Sequence, residues 1–236
     1  MTAERLAVVT GASRGIGLAV AQRLLDDEMR VVMIARNADA LREAAAPYGD
    51  RAMPVECDVG DPVAIDAMVA RVRDEIDAVP DVVVNNAGLF KLASAHEIDP
   101  SDFADALTVN LVAPFRVIRA FLPAMRERGR GHIVNIGSIA DRVAFPENGA
   151  YAASKFGLRG LQEVLRAELR GSGVRATLVS PGPVDTSLWD EIDPDNRPGF
   201  SPRASMLTAD AVASAVMYVV TQPNDVNVDE LRLSRT

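Results

Sequence analysis

Short runs rich in Val, Ile and Leu alternate with longer amphipathic stretches along most of this 236-residue chain, and nothing else in it constrains the fold so strongly. The short runs are residues 6–10, 30–35, 52–57, 82–85, 131–136 and 174–180, with a last one expected within 226–233. Their interiors lack a clean apolar–polar alternation, as strands of a parallel sheet do when both faces are covered. Between them, helical patterns run over residues 15–27, 39–46, 61–77, 100–128, 151–172 and 208–221. Asp61-Pro62 and Thr208-Ala209-Asp210 read as helix starts. Strand and helix in repeated alternation mean right-handed βαβ units. The expected fold class is therefore α/β, with a doubly wound parallel sheet.

No internal repeat, low-complexity tract or linker divides the chain, so one domain over residues 1–236 is expected. The longest irregular stretch, 187–207, carries Pro194, Pro198, Gly199 and Pro202 and reads either as a substrate loop or as a surface insertion. The net charge of −8, without clustered Lys and Arg, argues against nucleic acid as a partner. A single cysteine, Cys57, excludes an intrachain disulfide and reads as a small buried apolar residue. His96 and His132 are far apart in sequence, so no metal site is expected. The apolar region 107–125 is interrupted by Asn110, Arg116 and Arg119, which argues against a membrane span. With no targeting segment evident, a cytoplasmic protein is expected.

Residues 10–17 read TGASRGIG, after the first strand and at the opening of the first helix. Glycines there permit a tight turn and let backbone N–H groups approach a pyrophosphate at a helix N-terminus. The spacing is not the common G-x-G-x-x-G, and by itself the stretch is either a phosphate cradle or a flexible turn. The second strand adds a signal. A carboxylate near its end holds the ribose of NAD, whereas an arginine accommodates the 2′-phosphate of NADP. Here Ala35 occupies the acidic place and Arg36 and Asn37 follow, with Arg14 inside the glycine loop. Two guanidinium groups can clamp a phosphate dianion, although each is also an ordinary surface residue. Asp58, at the end of the third strand, reads as an acceptor for an adenine amino group or as a turn residue. Residues 85–88, NNAG, close the fourth strand, where open parallel sheets bind ligands.

The chemical signal is Tyr151-Ala152-Ala153-Ser154-Lys155. Tyr and Lys four apart share one helix face, and an ammonium beside a phenol lowers its pKa toward neutrality. Ser138, at the end of the fifth strand, can hydrogen-bond a substrate carbonyl oxygen beside that tyrosine. Asn110, in an apolar helix, is either a satisfied core amide or part of a proton path.

Taken in order, TGASRGIG, NNAG, Asn110, Ser138, YAASK and the stretch Pro181-Gly182-Pro183-Val184-Asp185-Thr186 resemble the short-chain dehydrogenase/reductase family over nearly the whole length. The resemblance implies a Rossmann-like fold and an NADP(H) cofactor held by Gly11, Ser13, Arg14, Gly15, Ile16, Gly17, Arg36, Asn37, Asp58, Val59, Asn86, Ala87, Gly88, Tyr151, Lys155, Pro181, Gly182, Val184 and Thr186. It implies Tyr151 as general acid or base, Lys155 on the nicotinamide ribose, Ser138 on the carbonyl and Asn110 in a water-mediated relay to Lys155. The implied activity is an NADPH-dependent carbonyl reductase acting on a ketone or aldehyde. The alternatives are an NAD(P)+-dependent alcohol dehydrogenase and a non-catalytic NADP(H) sensor. A homodimer or homotetramer, assembled partly through the helices of Asn110 and Tyr151, is implied as well. The C-terminal residues 225–236 lack the glycine-rich motif of the family's ketoacyl reductases, which argues against a role in fatty-acid synthesis. Phe90, Phe145, Leu188 and Trp189 are expected to wall an apolar pocket, with Trp189 alternatively a packing residue. The loop acids Asp190, Glu191, Asp193 and Asp195 either disfavour an anionic substrate or face solvent.

Overall fold

The apolar runs become seven strands in a computed structural model that describes residues 5–76 and 78–236. They are β1 (Leu6–Thr10), β2 (Arg30–Ala35), β3 (Ala52–Glu56), β4 (Val82–Asn85), β5 (Gly131–Ile136), β6 (Val174–Pro181) and β7 (Glu230–Leu233). All neighbours pair in parallel, in the order β3-β2-β1-β4-β5-β6-β7. The helices are α1 (Gly15–Asp26), α2 (Ala38–Ala45), α3 (Pro62–Ile76), α4 (Pro100–Leu107), α5 (Ala113–Arg128), α6 (Gly149–Glu168) and α7 (Ala209–Val220). Both expected helix starts hold: Asp61 Oδ1 accepts from Val63 N at 2.8 Å, and Thr208 Oγ1 accepts from Ala211 N at 3.1 Å. The expected end of the third helix, Asp77, lies outside the described residues.

Strand side chains alternate between two apolar layers. Ala7, Val9, Val31 and Met33 face Val20, Leu24, Val212 and Val216 of α1 and α7. Leu6, Val8, Val32 and Ile34 face Ile65, Val72, Val117 and Phe121 of α3 and α5. Burying each such side chain contributes about 1.5–3 kcal/mol, so these layers dominate the stability. The direction of winding reverses between β1 and β4, which opens a crevice beyond their carboxyl ends.

Two elements differ from expectation. The helix expected over residues 100–128 is broken into α4 and α5 by a π-helical turn, Thr108–Val112. Asn110 sits in that turn, and a π turn inserts an extra residue that re-aims a side chain. The last strand is shorter than expected. The Asn227 side chain takes both backbone groups of Ala176, accepting from its N–H at 3.0 Å and donating to its carbonyl at 3.2 Å. Backbone bonding to β6 therefore begins only at Asp229, whose carbonyl accepts from Leu178 N at 3.1 Å, with Glu230 the first residue in register. By length and composition, Pro100–Arg128 is long and apolar enough to cross a membrane. In this fold Val117, Ile118, Phe121 and Met125 of α5 are spent on the core.

Candidate active site

A cleft of about 1520 Å³ opens at the carboxyl ends of β1, β2, β4, β5 and β6 and collects almost every site residue read from the sequence. Its floor is the glycine loop. Gly11 and Gly15 adopt φ of +68° and +56°, which side chains rarely tolerate. Gly17 is required by space: a Cβ there would lie 2.2 Å from Gly11 O and 2.4 Å from Asn86 Nδ2. The side chain of Arg14, the residue before α1, makes no cap bond, so the first N–H groups of α1 lack a side-chain acceptor. That is the donor set an anion needs.

The turn after β4 is tied to this loop. Asn86 Nδ2 donates to Thr10 O at 3.0 Å, while Thr10 Oγ1 accepts from Asn86 N and Ala87 N at 3.0 and 3.1 Å. Arg14 and Arg36 both line the cleft, are exposed, and form no ion pair among the described residues. Asn37 lines it too and caps α2 by accepting from Ala40 N at 3.0 Å. Asp58 lies on the wall beside Val59, its Oδ1 accepting from Gly60 N at 2.9 Å. Cys57 is buried as expected, and that burial pushes its thiol up to about 11. From the other side, Thr186 comes over the glycine loop: a Cβ on Gly15 would lie 3.2 Å from Thr186 Cγ2. Ser13, Ile16, Gly88, Pro181, Gly182 and Val184 complete the lining.

The reactive group stands at the end of β5. Tyr151, in the first turn of α6, keeps part of its surface open to the cleft, and its ring meets Phe90 edge-on at 4.8 Å. Lys155, one turn on, is buried; its Nζ donates to Ile136 O at 2.8 Å and lies 5.6 Å from the Tyr151 ring centroid. Ser138 Oγ accepts from Ala140 N at 3.1 Å and lines the cleft beside Tyr151. Desolvation decides both protonation states. It pushes the Tyr151 phenol up to about 12, against the opposing hydrogen bonding of Ser138, and a nearby carboxylate, Asp141, adds to the rise. It brings Lys155 down to about 8, with Asp141 acting to hold its charge. The phenol is thus raised rather than lowered toward neutrality in this chain alone, because burial outweighs the Ser138 hydrogen bond.

Asn110 is fully buried and its amide is fully used. Its Oδ1 accepts from Leu89 N at 2.7 Å, and its Nδ2 donates to Leu89 O and to Ser154 Oγ, each at 2.9 Å. Ser154 Oγ donates on to Tyr151 O at 2.7 Å. The side chain thus braces the turn after β4 against α6, and it makes no direct bond to Lys155.

The outer cleft is aromatic. Trp189 meets Phe90 at 5.1 Å and Phe200 at 6.2 Å, both edge-on, and its Nε1 donates to Val184 O at 3.1 Å. Of the two expectations for Trp189, the wall is realised. The loop acids do not reach the cleft. Asp190 pairs with Arg203 at 2.6 Å, Asp195 accepts from Arg203 N at 2.8 Å, and Asp193 accepts from Asn196 at 2.9 Å. Sequence reasoning missed Asn148, which is 5% exposed on the cleft wall with its Oδ1 unpartnered, and the Arg197–Glu147 pair at the mouth. It also gave no role to Asp141, whose carboxylate is held by Ser180 of β6 and by the adjacent Arg142.

The family model for short chain dehydrogenase matches residues 5–197. A 2-(R)-hydroxypropyl-CoM dehydrogenase of Xanthobacter autotrophicus is 37% identical over 228 residues, covering 92% of this chain and 91% of its own. A metagenomic short-chain oxidoreductase solved in complex with NADP superposes with a TM-score of 0.84 at 34% identity, over 98% of this chain and 97% of its own. The closed form of a serine dehydrogenase complexed with NADP+ superposes at 0.88 and 31% identity, over 96% and 93%. With this fold, this cleft and these likenesses, the chain belongs to the short-chain dehydrogenase/reductase family of oxidoreductases.

Proposed function

We propose that this protein is an NADP(H)-dependent carbonyl reductase in which Tyr151 is the general acid. The observation that carries the reading is the grouping of Tyr151, Lys155 and Ser138 on a cleft floored by the glycine loop. The cofactor fits the residues present. The N–H groups at the start of α1 would take the pyrophosphate, Arg14 and Arg36 the 2′-phosphate, and Asp58 the adenosine half. Thr186, over the glycine loop, and Lys155 would hold the nicotinamide end. When bound, the nicotinamide supplies the hydride.

The chain's own residues then have distinct tasks. Ser138 Oγ donates to the substrate carbonyl oxygen and fixes it beside Tyr151. Tyr151 delivers its proton to that oxygen, and because burial disfavours the phenolate left behind, the transfer depends on a neighbouring positive charge. Lys155 stabilises the phenolate formed after transfer. Phe90, Trp189 and Phe200 exclude water and present ring edges and faces to an apolar or aromatic ketone or aldehyde. Asn110, through Leu89 and Ser154, holds the turn after β4 and the first turn of α6 at a fixed separation.

Alcohol oxidation is the second reading, favoured by relatives named as dehydrogenases. It runs the same proton transfer in reverse, with Tyr151 as the base, and passes through the same phenolate. Exposed Phe115 of α5 and Phe156 and Val164 of α6 support a homo-oligomer joined through those helices, which light scattering reads as mass. The direct test of the reductase is Tyr151→Phe. Turnover is expected to fall about 10³-fold with NADPH affinity retained. Retained turnover would remove Tyr151 from the chemistry.

A further inference from the structure

Lys155 is 4% exposed, yet its only hydrogen bond is to a neutral acceptor, the Ile136 carbonyl. An ammonium so placed needs a counter-charge, because desolvation otherwise strips its proton. Asp141 is 0% exposed, and it is the one carboxylate that acts on both Lys155 and Tyr151. It belongs to the short turn after β5 that carries Ser138, and its N–H donates to Ser138 O at 2.9 Å. Its Oδ2 accepts from Ser180 Oγ of β6 at 2.6 Å, and its Oδ1 from Arg142 Nε at 2.6 Å. Arg142 reaches on to Glu230 of β7, Nη2 to Oε1, at 2.6 Å. The cluster presses on the strand end itself: a Cβ on Gly137 would lie 2.6 Å from Ser180 Oγ and 3.0 Å from Asp141 Oδ2.

We propose that Asp141 is a positioning residue that keeps Lys155 charged and Tyr151 protonated, and that Arg142 and Glu230 hold it in place from the C-terminal strand. The inference rests on the reductase reading for its catalytic meaning; its electrostatics rest on buried Asp141 lying against Gly137 while Lys155 Nζ is held on the adjacent Ile136 carbonyl. Arg142 pairs with both Asp141 and Glu230, which leaves one negative charge among the three to offset Lys155. Arg232 touches only the outer end, 3.7 Å from Glu230. Ser180 contributes a hydroxyl without charge. A negative charge at Asp141 raises the pH at which both Lys155 and Tyr151 lose their protons, so the two effects act in one direction. The last strand thereby belongs to the electrostatics of the site as well as to the sheet.

The chain contains only two lysines, Lys91 and Lys155, which makes the test clean. NMR titration of protein labelled with ¹³C at lysine Cε, without cofactor or substrate, gives one signal for each. Lys155→Met assigns them, and exposed Lys91, paired with Asp102, is the internal control. Lys155 is expected to titrate near about 8 in the parent chain. Asp141→Asn keeps hydrogen-bonding capacity for Ser180 and Arg142 but removes the charge. It is expected to move the Lys155 midpoint by roughly half a unit or more toward acid and leave Lys91 in place. Glu230→Gln, closer to solvent, is expected to move it the same way by less, and serves should Asp141→Asn fail to fold. Ser180→Ala, a neutral change, is expected to leave the midpoint unmoved. The alkaline limb of turnover should shift with Lys155 in each variant. An unmoved Lys155 signal in folded Asp141→Asn, or in Glu230→Gln if only that variant folds, overturns the proposal whatever the enzyme turns over. A moved signal in a protein that reduces no carbonyl leaves it standing and counts against the reductase reading instead.

Discussion

On the glycine-loop side of the cleft, missing side chains make the site: Gly11 and Gly17 leave the space, and α1 offers its own backbone donors. On the Tyr151 side, side chains make it, brought from β5, α6, the turn after β4 and the 187–207 loop. The first half is specified by backbone that cannot be otherwise. The second is specified by burial, which fixes protonation states through neighbours distant in sequence. The difference teaches where each half is vulnerable: the first to added volume, the second to changed charge or polarity.

Adding volume should therefore have the largest effect. Gly17→Ala puts a methyl group against Gly11 O and Asn86, both held by the β1–β4 junction. NADPH affinity is expected to fall about 100-fold or more, with about 1–3 kcal/mol lost in stability, measured by fluorescence titration and denaturant melts. Unchanged affinity would mean that the cradle is not where the pyrophosphate sits. Arg36→Asp changes charge in that same half. A loss of roughly 10-fold or more is expected for NADPH, with NADH little affected, if the Arg36 guanidinium takes the 2′-phosphate as proposed. Equal losses for both cofactors would end the clamp argument.

In the other half, Trp189→Ala removes the ring between Phe90 and Phe200. KM for aromatic ketones is expected to rise roughly 3- to 10-fold with kcat changing less, since edge-on ring contacts are worth about 0.5–1.5 kcal/mol. A fall in kcat alone would place Trp189 in the alignment of Tyr151 rather than in substrate binding.

The smallest effect lies outside both halves. His132, buried at the opposite end of β5 and bonded to Thr177 at 2.8 Å, is held neutral, its pKa brought down to about 3 by burial and then by Arg175. The unfolded chain thus takes up this proton first, so stability is unaffected above about pH 6.5 and is lost as pH falls from there toward 3. His132→Gln should flatten that part of a Tm-against-pH curve without altering neutral activity. Curves that coincide would show the ring to be tolerated charged.

Much of the first half was legible in the sequence. TGASRGIG follows an apolar run and opens a helix, and a glycine needed for space or for positive φ leaves its mark at its own position. The strand ends that carry Arg36, Asp58 and Asn86 follow once the parallel sheet is inferred. Tyr151, Lys155 and Ser138 were legible as a constellation, but their protonation was not. The rise of Tyr151 depends on desolvation and on Asp141, and Asp141 is held by Ser180 and by Arg142, itself paired with Glu230, partners from β6 and β7 that no local pattern announces. The π turn at Asn110 was hidden in the same way, because the partners of its side chain, Leu89 and Ser154, lie in other segments. The loop acids could be read either as a field over the pocket or as facing solvent, because composition does not say that Asp190 is paired with Arg203 or that Asp195 accepts from its backbone.

The most direct measurement is oxidation of NADPH and NADH, in parallel, by the purified protein across a panel of aromatic and aliphatic ketones, diketones and aldehydes at neutral pH. The account predicts turnover selective for NADPH and strongest with apolar or aromatic carbonyls. Equal use of NADH, or oxidation of the matching alcohols without reduction of any carbonyl, would contradict it.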